Sequence, residues 1–199
     1  KNMRLFQYVN NAEEGANKAV FSTKLFVEDI KGGSSAAFEF FLRQGTGYDP
    51  ATGTVGTDMK QSPNFLECTA KDAPEGFLLC NENAQGTQFQ MPIGEWVEVK
   101  IEYTVTNVTD DGKATGIKVE YFLNGESKLV GTTVYGADIK EGKVALPLAS
   151  EITHMCFILY TGNTGVYYLD DMYLELVNYG GMETMRLAKK LNAYMKDQN

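Results

Sequence analysis

The segment GIKVEYFLNGESKLV, residues 116–130, decides the fold class. Apolar and polar side chains alternate on both sides of Asn124 and Gly125. A two-residue type I′ turn needs a positive φ at both central positions, which Asn and Gly adopt at the lowest cost. The segment therefore predicts an antiparallel hairpin. The preceding stretch, residues 94–103, alternates with a period of two and predicts a half-buried strand.

Similar alternating runs predict strands along most of the chain. The predicted strands are residues 3–8, 19–27, 37–43, 77–80, 88–91, 96–106, 117–123, 128–134, 143–148, 155–161 and 166–177. Residues 44–64 are rich in Gly and Pro and predict a long mobile connection that holds one short strand. The last two strands are expected to pair with each other across residues 162–165. About ten to twelve short strands at this spacing predict an all-β fold, an antiparallel two-sheet sandwich.

The end of the chain has a different pattern, which divides the sequence into a sandwich over residues 1–178 and a helix over residues 182–197. Apolar side chains of the second segment fall mostly on one helical face and basic side chains on the other, after Gly180 and Gly181. We expect a short C-terminal amphipathic α-helix. It either packs on its own sandwich or mediates self-association, contact with a protein partner or linkage to a further domain.

The charge balance limits the classes of partner. The chain has 199 residues, with 18 basic and 26 acidic side chains and a net charge of −8. No nucleic-acid partner is expected, because phosphate binding needs clustered Lys and Arg. No run of apolar residues is long enough for membrane insertion. The N-terminal segment lacks both an initiator Met and the apolar region of a signal peptide, so we expect a processed or excised piece of a longer protein.

The three cysteines and the single histidine leave some chemistry open. Cys68 and Cys80 flank a short loop, and a disulfide between them would add about 3 kcal/mol of stability. The alternative is that both remain reduced. Cys156 lies in an apolar run and is predicted to be a buried, inert thiol. His154 has no second histidine near it, so we expect a surface or loop position and no zinc site.

Three sequence patterns resemble those of concanavalin A-like lectin/glucanase sandwiches in their laminin-G-like form. They are VFSTKL at residues 20–25, GEW at residues 94–96 before a long strand and an Asn-Gly hairpin, and VYYLDDMYLE at residues 166–175. The last pattern is also similar to the closing strand of jelly-roll carbohydrate-binding modules. The resemblance implies a jelly-roll sandwich that is lectin-like and carbohydrate-binding. The paired carboxylates of the family's glucanases have no counterpart here, so no catalytic residue is assigned.

Candidate ligand-binding and metal-binding residues follow from residue type and from the resemblance. Flat aromatic rings stack on sugars, and four tyrosines lie in or near connections, where binding residues concentrate. These candidates are Tyr48, Tyr135, Tyr160 and Tyr167. The resemblance implies a structural calcium ion near Asp170, and Asp171 adds oxygen ligands of the type that Ca²⁺ prefers. The alternative is that Asp170 bonds to a loop and that Asp171 is solvated. We expect Trp96 to close one end of the core.

These observations predict a non-catalytic, secreted carbohydrate-binding or accessory module of a larger protein, located outside the cell or at its surface. Its partner would be a polysaccharide or another glycan. One alternative is a structural or adhesive module that contacts proteins. A third hypothesis, a glycoside hydrolase or polysaccharide lyase, would use Asp171 and Glu175, which the alternation places on one face of their strand.

Overall fold

The fold is known from a computed structural model that describes residues 3–31, 37–44, 48–49, 54–55, 60–82, 88–131, 148–160 and 163–179. This part of the chain holds fourteen strands. They are β1 (Met3–Tyr8), β2 (Asn11–Ala12), β3 (Lys18–Lys31), β4 (Phe38–Gln44), β5 (Tyr48–Asp49), β6 (Thr54–Val55), β7 (Lys60–Thr69), β8 (Phe77–Glu82), β9 (Gln88–Pro92), β10 (Trp96–Val108), β11 (Ala114–Leu123), β12 (Glu126–Gly131), β13 (His154–Leu159) and β14 (Thr164–Val177).

The strands form two six-stranded sheets that share one core. The first sheet has the order β1-β13-β4-β7-β8-β9, and the second has the order β12-β11-β10-β3-β14-β2. Neighbouring strands within them are antiparallel except β14 and β2. Strands β5 and β6 pair with each other outside both sheets. The two-sheet antiparallel sandwich predicted from the sequence is confirmed.

The core lies between the sheets, because alternate residues of each long strand point toward the opposite sheet. Phe38 and Phe40 of β4 and Phe21 of β3 are fully buried. The ring centroids of Phe21 and Phe40 lie 5.8 Å apart across the sheets, and Phe157 of β13 lies 4.9 Å from Phe40. Aromatic rings at these distances pack favourably. They pack β4 and β13 of the first sheet against β3 of the second.

The Asn-Gly hairpin is confirmed as the connection between β11 and β12. Asn124 and Gly125 have φ values of 50° and 78°, as a type I′ turn requires. The Asn124 side chain also accepts a hydrogen bond from the Glu98 N–H at 2.8 Å, and its own N–H donates to the Glu98 carbonyl at 2.9 Å. These two bonds join the hairpin to the start of β10.

Two predictions about the final strands and Trp96 are wrong. Strands β13 and β14 were expected to form a hairpin, but they belong to different sheets, since β13 pairs with β1 and β4 while β14 pairs with β3 and β2. Trp96 does not close the core, because 49% of its surface is exposed. It lies opposite Phe26, and the neighbouring positions Leu25 and Val27 point into the core. Alternation therefore turns Trp96 outward.

The connection predicted for residues 44–64 is also partly wrong. It contains β5 and β6, and β7 already begins at Lys60. Pro63 concealed this strand, because proline cannot donate to a ladder and is confined within sheets to edges and bulges. The pairing of β4 with β7 shifts at this point: Phe41 faces Phe65 and Arg43 faces Gln61, so β7 has two extra residues. An irregularity in the ladder accommodates the proline.

Helices contribute little to the described part of the chain. One 3₁₀ turn spans Ala149–Glu151, and no α-helix occurs among the described residues. The predicted amphipathic helix over residues 182–197 lies outside them. Within the same residues, no helix has the length and apolar character needed to cross a membrane.

The central position of Phe40 gives a prediction for stability. Phe40→Ala leaves a cavity between the sheets, and we expect the free energy of unfolding to fall by about 3–5 kcal/mol in denaturant titrations. Val130→Ala is the control, because Val130 is 46% exposed and its truncation should change stability by about 0.5 kcal/mol or less. Equal losses in the two variants would contradict this assignment of the core.

The paired cysteines give a second prediction. Cys68 and Cys80 are free, buried and directly opposite each other in β7 and β8, with their sulfur atoms 2.7 Å apart. When the chain refolds with oxidised glutathione, which takes up the two electrons, we expect a disulfide between them. Closing this short loop should raise the free energy of unfolding by about 3 kcal/mol. Mass spectrometry after alkylation identifies the bond, and Cys68→Ser should abolish both changes. An oxidised chain with unchanged stability would contradict the prediction.

Candidate functional site

The outer face of the first sheet carries an unusual set of side chains. Phe38, Phe40 and Leu42 of β4 point into the core, so Glu39 and Arg43 point to the outer face. The same alternation in β13 places His154 and Cys156 on that face, and in β7 it places Glu67 there. We call this surface, formed by β1, β13, β4, β7, β8 and β9, the outer face.

Two carboxyl groups and a phenol meet at its centre. Glu39 and Glu67 are directly opposite each other in β4 and β7, and their carboxyl groups are hydrogen-bonded. The Tyr160 hydroxyl, just after β13, donates to the other side of Glu39. Only 5% of Glu39 is exposed, so this carboxyl group has lost its water and depends on these two partners. We call these three residues the carboxyl cluster.

The cluster holds a proton up to near-neutral pH. Burial raises the pKa of Glu39 to about 7; the Glu67 charge acts in the same direction, and the Tyr160 hydrogen bond opposes it. Burial also raises the pKa of Glu67. The pKa of Tyr160 is raised well above its usual range by burial and by Glu39. Two close carboxyl groups cannot both ionise cheaply. The pair therefore shares one proton below a pH of about 7, and its remaining carboxyl oxygens are acceptors.

Arg43 and His154 are register partners in β4 and β13, four residues (about 13 Å) along their strands from Glu39 and Ile158, with Phe41 and Cys156 between. The Arg43 guanidinium lies 4.7 Å from the centroid of the Phe41 ring. His154 is fully buried, with the rings of Phe6 and Tyr8 each 5.5 Å away. Burial, followed by the Arg43 charge, lowers the pKa of His154 to about 4. The imidazole is thus neutral at pH 7.

One nitrogen of each of these two side chains lacks a partner. Among the described residues, Arg43 Nε and His154 Nε2 are buried without a hydrogen bond, while His154 Nδ1 lies 2.8 Å from the Thr153 hydroxyl. Buried polar groups are nearly always satisfied, and exceptions call for a ligand, a water or a functional explanation. Both nitrogens belong to side chains further along the same face as the carboxyl cluster.

Register pairing extends the site across the sheet. One residue from each of the six strands forms a row of successive register partners across the sheet. The row consists of Arg4, Ile158, Glu39, Glu67, Asn81 and Gln88. The row ends at Gln88. Because neighbouring strands are about 4.8 Å apart, six strands give a row of about 24 Å. Ile158 and Glu39, in the first half of the row, are buried, with 3% and 5% of their surface exposed, whereas Gln88 at its end is exposed.

A pocket of about 610 Å³ opens at the Gln88 end of the row. It lies between the edge strands of the first sheet and the β11–β12 hairpin of the second. Its lining is Phe77, Gln88, Phe89, Gln90, Pro92, Leu123, Asn124, Glu126 and Lys128. Since Gln88 belongs to both features, the row and the pocket form one continuous surface.

The predicted ligand-binding tyrosines are dispersed. Tyr160 belongs to the carboxyl cluster. Tyr167 lies between the sheets, 5.6 Å from Phe38 by ring centroids, and burial raises its pKa to about 12. Tyr48 lies in the short strand β5. Tyr135 is outside the described residues. A role for Tyr48, Tyr135 and Tyr167 in binding stays a prediction.

The predicted calcium ligands lie on the other sheet, at a bulge in β14 where Asp171 has a φ of 50°. The Asp171 carboxylate forms an ion pair with Lys24 at 2.6 Å, and Asp170 accepts a hydrogen bond from the Asp171 N–H at 2.8 Å. In the described part of the chain, no three His, Cys, Asp or Glu side chains are grouped to hold a metal ion. Calcium binding by Asp170 and Asp171 stays a prediction.

Sequence reasoning missed Glu39, Arg43, Glu67 and His154. The signal for two of them was present in FEFFLR, residues 38–43, where Glu39 and Arg43 share a face and the opposite face is wholly apolar. The surface position predicted for His154 is wrong, because the side chain has no exposed surface. The buried, inert thiol predicted for Cys156 is confirmed, since burial raises its pKa to about 11.

Several solved structures are similar to this chain. Alginate lyase Aly36B is 12% identical over 89% of this chain and 81% of that chain, with a TM-score of 0.48. The cellulose-induced protein Cip1 is 12% identical over 82% and 71%, with a TM-score of 0.41. Sheep galectin-11 is 11% identical over 85% and 96%, with a TM-score of 0.37. No protein-family model and no curated protein sequence matches the chain. Similarities of this size assign no activity.

Glu39 and His154 make opposite contributions to the pH dependence of stability. The pKa of Glu39 rises from 4.5 to about 7 on folding, so stability is lost as the pH rises between these values. The pKa of His154 falls from 6.5 to about 4, so its contribution is complete above 6.5 and is lost as the pH drops toward 4. The two trends oppose each other where their ranges overlap.

Removing one of these two groups should therefore leave the pH dependence of stability that the other contributes. We expect Glu39→Gln to become more stable as the pH rises from about 4 to 6.5, and His154→Gln to become less stable from about 4.5 to 7, each by up to about 3 kcal/mol. Urea unfolding at stepped pH measures both slopes. Glu75→Gln, in the exposed turn before β8, should follow the wild-type profile. Wild-type profiles for Glu39→Gln and His154→Gln would contradict the shifted pKa values.

Proposed function

We propose that this chain binds a polysaccharide along the outer face of the first sheet, as a non-catalytic module of a larger extracellular or cell-surface protein. The observation that supports this most strongly is the carboxyl cluster at the middle of a polar row that crosses the sheet. Glu39, Glu67 and Tyr160 place a shared proton and several oxygens on a surface that is otherwise built from apolar strands.

The chemistry of the cluster suits sugar hydroxyl groups. A hydroxyl donates one hydrogen bond and accepts others, so a site for neighbouring hydroxyls needs donors and acceptors together. Glu67 and the Tyr160 oxygen supply acceptors, while the Tyr160 hydrogen is already donated to Glu39 and the shared proton lies between Glu39 and Glu67. Further along the same face, Arg43 Nε is a buried donor without a partner, and His154 Nε2 is a second buried polar atom without one. Binding of this kind requires no change of protonation.

The length of the surface favours a polymer over a single sugar. The row of register partners spans about 24 Å and continues into the pocket that Gln88 lines. Ligand sites of this class combine apolar walls with a few placed polar groups. Exposed Phe77 and the ring of Phe89 provide the apolar part at the pocket end.

Glycan cleavage is the second candidate function, and the pKa of Glu39 favours it. A carboxyl group with a pKa of about 7 is suited to act as a general acid at neutral pH. The spacing opposes it, because glycoside hydrolysis needs two carboxyl groups about 5 Å apart or more, with the sugar between them. Glu39 and Glu67 are hydrogen-bonded to each other, which leaves no space for a glycosidic bond.

Native affinity electrophoresis against a panel of neutral and anionic polysaccharides tests the proposal. We expect at least one class of polysaccharide to retard the wild-type chain. Glu67→Gln and Tyr160→Phe should each weaken this retardation about tenfold or more, because the first replaces an acceptor oxygen by an amide donor and the second removes the hydroxyl. Glu75→Gln is the matched control and should behave as the wild type.

The same samples separate binding from cleavage. Incubation with the retarding polysaccharide should release no new reducing or unsaturated ends. Release that disappears in Glu39→Gln would favour the enzymatic function instead. If no polysaccharide retards the folded chain, or if the cluster variants are retarded as strongly as the wild type, the proposed function is wrong and the structural or adhesive alternative gains support.

A further inference from the structure

The outer side of the second sheet carries a row of aromatic rings. Trp96 of β10, Phe26 of β3 and Tyr168 of β14 are directly opposite one another in three adjacent strands. The ring centroids of Trp96 and Phe26 lie 5.6 Å apart, and those of Phe26 and Tyr168 lie 6.0 Å apart. Trp96 and Tyr168 are each 49% exposed, so half of each side chain faces solvent. We call these three residues the aromatic row.

A row of charged side chains runs parallel to it. Glu98, Lys24 and Asp170 occupy the next outward positions of the same three strands and are also register partners. Two residues along a strand correspond to about 6.6 Å, which is about the width of a sugar ring. On the other side of the aromatic row, the Tyr168 hydroxyl donates to Glu28 at 3.0 Å. The rings thus lie between this charged row and the carboxylate of Glu28.

We propose that the aromatic row is a second carbohydrate-binding surface, which takes a neutral oligosaccharide across β10, β3 and β14. The apolar face of a sugar ring packs on Trp96 and Tyr168, and its hydroxyl groups reach Glu98, Lys24 and Asp170. Two strand spacings give the row a length of about 10 Å, enough for about two sugar rings. This inference goes beyond the proposed function, because the two surfaces lie on opposite sides of the sandwich.

The charges around the row select a neutral ligand. Glu28, Glu98, Asp170 and Asp171 contribute four carboxylates near the rings, and Lys24 contributes one ammonium group that already pairs with Asp171. A uronic acid polymer would place its own carboxylates beside these groups, and like charges repel at this distance. A neutral sugar meets only hydrogen-bonding partners.

The size of the row argues against a protein partner or a second copy of the chain. An aromatic side chain buries about 150–250 Å², so two half-exposed rings offer about 200 Å² of apolar surface. A stable protein interface buries about 800 Å² on each partner. A larger contact would also cover the exposed Lys24–Asp171 ion pair. The row is sufficient for a small, flat ligand.

Trp96 provides a direct readout, because it is the only tryptophan of the chain. We expect at least one of cellohexaose, laminarihexaose, xylohexaose and mannohexaose to change its fluorescence in a saturable way, while an alginate hexamer leaves it unchanged. Tyr168→Ala should weaken the affinity from this titration about tenfold, as expected for the loss of one stacking ring. Tyr168→Phe retains the ring and should stay within about twofold of the wild type.

Two further variants keep this test separate from the outer face of the first sheet. Tyr160→Phe should leave the Trp96 titration unchanged, and Tyr179→Ala controls for the loss of an exposed tyrosine outside the row. The proposal is overturned if none of the four neutral hexasaccharides changes the fluorescence, or if Tyr168→Ala titrates as the wild type. It is also overturned if the emission depends on protein concentration and sedimentation shows a dimer, since a second copy then occupies the row.

Discussion

Face-to-face burial of apolar side chains between two sheets is the constraint on which the other features depend. Phe21, Phe40 and Phe157 fix which residue of each central strand points inward, and strand alternation then fixes every outward position. A shift of one residue in β4 would exchange Phe40 for Glu39 in the core. The carboxyl cluster on the outer face of the first sheet and the aromatic row of the second are therefore consequences of the same register.

The carboxyl cluster carries a cost that the fold does not need. A buried carboxyl group loses its hydration, and here it regains only the bonds from Tyr160 and Glu67. Apolar residues in the same positions would remove this penalty. Titratable groups with strongly shifted pKa values concentrate where proteins bind or transform ligands. The carboxyl cluster fits this pattern, because the pKa of Glu39 lies near neutrality.

The sequence was sufficient for the parts of the fold that local patterns determine. Alternation and the Asn-Gly turn predicted most strands, while the division of β13 and β14 between two sheets is a long-range property that alternation does not contain. Glu39 and Glu67 are 28 positions apart, and only the register of β4 against β7 brings them together. Pro63 concealed β7 altogether. Local sequence patterns therefore could not predict the carboxyl cluster, although Tyr160 was among the predicted ligand-binding residues.

The protonation of Glu39 in the presence of ligand tests the central claim most directly. A ¹³C NMR titration of its side-chain carboxyl group, assigned with Glu39→Gln, gives its pKa with and without an oligosaccharide of the class that retards the chain. We expect a pKa near 7 for Glu39 in the free chain and a changed chemical shift of its carboxyl carbon on binding. A Glu39 carboxyl that titrates near its ordinary value of 4.5 and does not respond to the bound glycan would contradict it.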